Sequence, residues 1–243
     1  MAADPMDERQ LQRHLTLGAS HWWLVETKRL AATALRRRLR DGAVVLDAGT
    51  GVGALVKMLQ PRHRVVALDL SPMALRLAER TGVGCRVLAS VEDLPFGAAS
   101  FDGVASLDVL YHADVRDEGR ALAEVARVLR PGGVVVLNLP AYRWMMSAHD
   151  EVARAARRYS RGELRKRLLT AGLVPERLSY WNCLLFPVAV FNRKVLGSSG
   201  TDLSPVPPLA NTLLAGILRL EAWWVGRWQL PFGLSVFAIA RKP

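Results

Sequence analysis

Acidic residues are scarce in this chain: 22 Asp and Glu stand against 33 Lys and Arg in 243 residues, a formal charge of +11. That deficit favours anionic partners, whether nucleic acid, lipid headgroups or a phosphorylated small molecule, and does not choose among them. Cysteine is nearly absent. Cys85 and Cys183 are the only two, and they lack metal-ligand spacing, which excludes a disulfide scaffold and a thiolate zinc site. No metal is expected. No secretory leader pattern is visible and the start, 1–13, is polar and acidic, so a reducing cytoplasmic setting is expected. No run of about eighteen uninterrupted apolar residues occurs, which excludes a transmembrane helix. Internal repeats are missing as well.

What is present is an apolar half of the chain, 51% of residues, broken by Gly and Pro. This is the composition of a globular protein with one large α/β core. Short apolar runs alternate with amphipathic stretches, predicting strands near 43–48, 64–70, 85–89, 101–107 and 134–139. Helices are expected over 53–60, 72–80 and 119–129, with Ser71 and Pro72 as N-cap and first helical residue. A helix over 21–40, bearing Trp22, Trp23 and Leu30, reads as a cap on one side of the sheet. Ser160 and Glu163 form a capping box for a helix to about 171, and two late strands, 177–181 and 234–240, complete a mostly parallel seven-stranded sheet with helices on both faces. One domain over 1–243 is expected: an N-terminal helical cap (1–40), the core (41–183), a helical insertion (184–230) and a final strand (231–243). The insertion has a Ser/Gly/Pro-rich connector at 197–208. Its helix, 209–228, is apolar on more than one face and ends in Trp223, Trp224 and Trp228, so it needs something to pack against. Arg-rich runs at 36–40 and 154–167 read as solvated helix faces that could form a basic rim.

The most informative segment is Val44-Val45-Leu46-Asp47-Ala48-Gly49-Thr50-Gly51-Val52-Gly53, a buried strand that runs into a glycine turn and a helix. Glycine lets backbone approach a ligand closely, and a helix N-terminus offers free N–H groups, which suits a nucleotide-like cofactor. Asp69, at the end of the second strand, can accept hydrogen bonds from both hydroxyls of a ribose. The same residues satisfy the dinucleotide pattern G-x-G-x-x-G/A, so an NAD-dependent oxidoreductase stays open at this point.

With later segments included, the stretch 21–172 resembles the class I S-adenosylmethionine (SAM)-dependent methyltransferases, particularly the subgroup related to ubiquinone and menaquinone biosynthesis enzymes. The segments are Asp47-x-Gly49-x-Gly51-x-Gly53, Glu92-Asp93-Leu94-Pro95-Phe96 with Ser100-Phe101-Asp102, Ser106-Leu107-Asp108-Val109-Leu110-Tyr111-His112, and Glu124-Val125-Ala126-Arg127-Val128-Leu129-Arg130-Pro131-Gly132-Gly133. The resemblance implies a Rossmann-like fold and SAM as cofactor, with S-adenosylhomocysteine as product. It implies that Asp47, Gly49, Thr50 and Gly51 hold the methionine part, that Asp69 and Leu70 border the ribose, that Ser90 and Val91 contact adenine, and that Leu107 and Asp108 border the cofactor. Ser90 replaces a commoner Asp. His21-Trp22-Trp23 resembles an aromatic segment that closes over the cofactor, which places Trp23 in the cofactor set, although Leu24 and Thr27 stand where an aromatic residue and an Arg are commoner.

In-line methyl displacement needs a base only where the nucleophile carries a proton. His112, Tyr111 and His149 are the candidates, with Arg158 and Tyr159 as acceptor-binding residues and Arg157 beside them as a second anion-binding arginine. A signature for methylating exocyclic amino groups of bases is absent after the fourth strand, and no aromatic RNA-stacking motif occurs, so no specific nucleic acid is expected. The expected acceptor is small or lipid-like. Peripheral membrane contact and a homodimer through the insertion are further expectations, and a catalytically silent partner-binding platform is the alternative from another class.

Overall fold

The computed structural model describes residues 20–146, 150, 154–194 and 206–243, with side chains of 192–194 excepted. His149 and most of the 197–208 connector therefore lie outside the described residues. The elements are α1 (Trp22–Arg36), β1 (Val44–Ala48), α2 (Ala54–Leu59), β2 (Arg64–Asp69), α3 (Pro72–Arg80), β3 (Cys85–Leu88), β4 (Phe101–Leu107), α4 (Glu118–Val128), β5 (Leu129–Pro140), α5 (Arg161–Thr170), β6 (Val174–Trp181), α6 (Phe186–Lys194), α7 (Pro208–Val225) and β7 (Ser235–Arg241).

The strands form one seven-stranded sheet in the order β3-β2-β1-β4-β5-β7-β6. Strands β1 to β5 pair in parallel, and β7 runs antiparallel to both β5 and β6. The order reverses between β1 and β4, which leaves a crevice outside their carboxyl ends, the place where open α/β sheets bind ligands. The strands around it are apolar on both sides because helices cover both faces: Val45, Leu46, Val104, Ala105, Val135 and Val136 are fully buried. Leu35 of α1 joins the same core.

Helix starts obey local chemistry. Ser71 Oγ accepts from the Ala74 amide at 3.2 Å with Pro72 in the first turn, and Asp117 caps α4 by accepting from the Arg120 amide at 3.0 Å. Ser160 and Glu163 complete the reciprocal capping box of α5. Strand β5 starts five residues before the expected 134. Its Pro131-Gly132-Gly133 stretch stays in the sheet through a register shift opposite Phe101 and Gly103, while Gly132 donates to the Lys242 carbonyl.

The insertion helix α7 lies alongside α1. Asn211 accepts from the Trp22 amide at 2.9 Å and donates to the Ser20 carbonyl at 2.8 Å, and Arg219 pairs with the buried Glu26 at 2.9 Å. Glu221, fully buried, accepts from the Cys183 and Leu184 amides, tying α7 to the end of β6.

Candidate active site

The glycine turn occupies the head of the crevice. Gly49, Gly51 and Gly53 all have positive φ, at 89°, 55° and 77°, a region costly for other residues. Their surroundings differ. A Cβ on Gly49 would stand 2.2 Å from Val109 Cγ2, whereas a Cβ on Gly51 would meet nothing within 4 Å. Gly49 is thus needed for packing against the β4 exit, and Gly51 faces open space. The amides of Gly49 and Thr50 both donate to the Leu68 carbonyl, and the Gly51 amide donates to Asp69 Oδ2 at 2.7 Å.

The pocket in front of this turn encloses about 210 Å³. Its wall follows the sheet edge: Ala89, Ser90 and Val91 after β3, Asp69, Leu70 and Ser71 after β2, Gly49 to Val52 after β1, and Leu107, Asp108 and Val109 after β4. Tyr111 and His112 continue the wall beyond β4, and α1 contributes Leu24, Thr27 and Lys28.

Charge is concentrated there. Asp47 is buried behind the turn and accepts from the Thr50 hydroxyl at 2.7 Å. Burial pushes its carboxyl up to about 6, and the Thr50 bond and Lys28 pull it partly back. Asp108, with a positive φ of 56°, accepts from the Asn138 side-chain Nδ2 at 2.9 Å and is likewise pushed up to about 6 by burial. Burial lowers the Lys28 ammonium below its ordinary value, against the opposing pull of Asp108 and then Asp47. No ion-pair partner contacts Lys28 among the described residues, so the pocket wall carries a desolvated cation facing two acids from a distance.

Burial also drives the Tyr111 phenol far above its usual range and depresses the His112 imidazolium, which Asp114 counteracts. His112 Nδ1 stands 3.8 Å from Asp114 Oδ2, and the Tyr111 and His112 rings lie 5.2 Å apart.

The structure brings Gly49, Thr50, Gly51, Asp69, Leu70, Ser90, Val91, Leu107, Asp108, Tyr111 and His112 to one pocket, with Asp47 behind it. Trp23 is not among its lining residues. It packs edge-on to Trp22 at 6.0 Å, because the face of α1 that meets the pocket is the one carrying Leu24 and Lys28, four residues apart. Arg158 and Tyr159 also lie outside this lining. Arg158 is 5% exposed, pairs with Asp150 at 2.8 Å and donates to the Ala141 carbonyl, while the buried Tyr159 hydroxyl donates to Glu118 and the Leu110 carbonyl. Both side chains brace the loops beyond β4 and β5. Arg157 does similar work, donating to the Val115 carbonyl at 2.8 Å. Lys28 was missed by sequence reasoning; its spacing of four from Leu24 on an amphipathic helix was the available signal.

The donors and acceptors on the wall suit an amino-acid-bearing nucleoside. A carboxylate at Asp69 can accept from sugar hydroxyls, apolar Leu70, Ala89, Val91 and Leu107 can flank a flat base, and Lys28 can meet a carboxylate beside the unobstructed Gly51 turn. No group of residues able to hold a metal ion occurs among the described residues.

Residues 46–137 match the methyltransferase domain family. The chain is 35% identical over 172 residues to a malonyl-[acyl-carrier protein] O-methyltransferase of Enterobacter lignolyticus, covering 66% of this chain and 67% of that one. It is 39% identical over 125 residues to the protein of the same name from Salmonella typhimurium, where the match spans only 48% of this chain and 49% of the relative, about half its length. The structure of a Burkholderia thailandensis 1,6-didemethyltoxoflavin-N1-methyltransferase, with bound 1,6-didemethyltoxoflavin and S-adenosylhomocysteine, superposes with a TM-score of 0.55 at 25% identity over 100% of this chain and 92% of that one.

Proposed function

Since the chain belongs to the class I SAM-dependent methyltransferases, we propose that it moves a methyl group from SAM to a small or lipid-like acceptor and releases S-adenosylhomocysteine. The observation that carries this reading is the unobstructed Gly51 turn latched to Asp69 at the sheet's switch point. When bound, SAM supplies a methyl carbon made electrophilic by the attached sulfonium.

This chain's residues then have distinct tasks. Asp69 orients the sugar, Ser90 and Val91 border the base, and the Gly49 to Gly51 turn admits the amino-acid tail, whose carboxylate Lys28 neutralises. Leu24, Leu107 and Val109 keep water from the reacting carbon. For an acceptor that carries a proton, His112 is the base: burial keeps its imidazole neutral near pH 7, so Nε2 can take the proton while Nδ1 points toward Asp114. Tyr111 stays protonated and can donate a hydrogen bond to the acceptor.

No helix among the described residues is long and apolar enough to cross a membrane, and a cytoplasmic setting with peripheral membrane contact belongs to the same proposal. Calorimetric titration with S-adenosylhomocysteine tests the cofactor, with NAD(H) titrated in parallel. Saturable binding of the former is expected; folded protein that ignores it at millimolar concentration, or prefers NAD(H), overturns the reading.

A further inference from the structure

Methyl transfer leaves the outer face of α7 without a task. Its inner face is spent on the protein, with Ala215, Leu218, Glu221 and Val225 buried. The opposite face is also apolar: Leu209 is 74% exposed, Leu213 62% and Trp223 53%, followed by Trp228 at 69% just past the helix end. Leucines spaced along one side and tryptophans at the end make a stripe that water does not favour.

Beside the stripe runs a groove between α1, α7 and the outer sheet strands, about 650 Å³ in volume, to which Trp223 also contributes. Glu26, its side chain only 2% exposed, is shared by Arg219 at 2.9 Å and Arg29 at 3.6 Å. Glu176 is shared by Arg38 at 2.7 Å and Arg241 at 2.6 Å. Two arginines around each acid leave net positive charge in both clusters, and Arg37 and Arg177 line the groove with no acidic partner among the described residues. Guanidiniums held in place around a cavity, next to an exposed Leu/Trp stripe, present both halves of an interfacial binding surface.

We propose that the outer face of α7 and this arginine groove dock the protein on an anionic lipid bilayer, leucines and tryptophans entering the headgroup boundary and the groove receiving phosphate headgroups. A polyanion such as RNA would answer the arginines and leave the leucines in water; a bilayer answers both. Asn211, in the first turn of α7, is bonded to Ser20 and Trp22, and α1 supplies Leu24 and Lys28 to the pocket from its first and second turns. The helix that carries the stripe is thus fastened to the helix that walls the pocket, and a lipid-like acceptor would arrive from the interface. That last link rests on the methyltransferase reading; the docking itself does not.

The test is co-sedimentation of the full chain with phosphatidylcholine vesicles and with phosphatidylcholine/phosphatidylglycerol vesicles, alongside tryptophan emission. Expected is binding to the anionic vesicles only, with a blue shift, released by salt. Arg37→Gln with Arg177→Gln should weaken partitioning by about thirtyfold, two steps of roughly 1 kcal/mol each. Leu213→Glu with Trp223→Glu should abolish it. Both pairs lie outside the pocket, so S-adenosylhomocysteine binding should be unchanged, which shows folding and separates this proposal from the cofactor reading. Equal recovery in the supernatant with and without anionic lipid overturns the proposal, as does unaltered binding by both variant pairs. A stable dimer or a nucleic-acid complex that survives in their place and is lost in the Leu213/Trp223 pair also overturns it.

Discussion

Asp69 Oδ2 accepts the amide hydrogen of Gly51 at 2.7 Å, so the end of β2 holds the turn that follows β1. The other oxygen accepts from the Ser71 amide at 2.9 Å. One carboxylate thus sets the shape of the turn and lines the pocket. Asp69→Ala should lower affinity for S-adenosylhomocysteine by about tenfold to a hundredfold, the scale of a charged hydrogen bond of roughly 1.5–3 kcal/mol, as read by calorimetry. Asp69→Asn, which keeps one acceptor, should lose less.

Gly49 and Gly51 should respond differently to the same substitution. Gly51→Ala carries only the backbone cost of positive φ, about 1–2 kcal/mol. Gly49→Ala adds a clash with Val109 and should lose a further 1–3 kcal/mol, roughly, in urea unfolding. Val109→Ala introduced with it should recover part of that loss, a non-additivity that reports their contact.

The two buried acids make stability fall as pH rises. Asp47 and Asp108 have folded values near 6 against an ordinary 3.8, so the folded chain holds their protons more tightly than the unfolded chain does. Their contribution is full below about pH 4 and lost as pH rises through about 6, at most about 3 kcal/mol per group. His63 and His112, whose imidazoliums burial disfavours, act in the opposite direction over the same range, so the decline is read as the difference between parent and Asp108→Asn in urea unfolding of ligand-free protein at about pH 5 and about pH 7.5. Asp108→Asn should remove about half of it.

Arg158 distinguishes bracing from substrate binding. Its ion pair with Asp150 is buried, so Arg158→Met leaves a carboxylate uncompensated and should cost about 3–5 kcal/mol in unfolding free energy. In the fraction that remains folded, affinity for S-adenosylhomocysteine should stay within about twofold of the parent protein, since the guanidinium does not line the pocket.

Much of the crevice was legible because its signals are local. A strand, three glycines, an acid after the next strand and a Ser-Pro cap lie within thirty residues, and parallel βα units convert that order directly into a sheet edge. What escaped was decided by distant partners. Arg158 and Tyr159 form part of an inviting polar triplet, yet Asp150, Glu118 and Leu110 determine where they point. Lys28 sits on a helix that tertiary packing carries to the pocket, and Trp23, immediately before the wall residue Leu24, falls off that wall because a helix rotates about 100° per residue. The early start of β5 was hidden by Pro131-Gly132-Gly133, a turn signal overridden by pairing with Phe101 and Lys242.

The clamp formed by Asn211 joins residues separated by 189 and 191 positions in the chain. The start of the helix bearing Lys28 is thus fastened by a residue close to two hundred positions later in the chain. Until α7 is made, the start of α1 lacks these bonds, while Leu30, Ala31 and Leu35 already seat the rest of that helix on the sheet, so the pocket wall gains its last fastening from the far end of the fold.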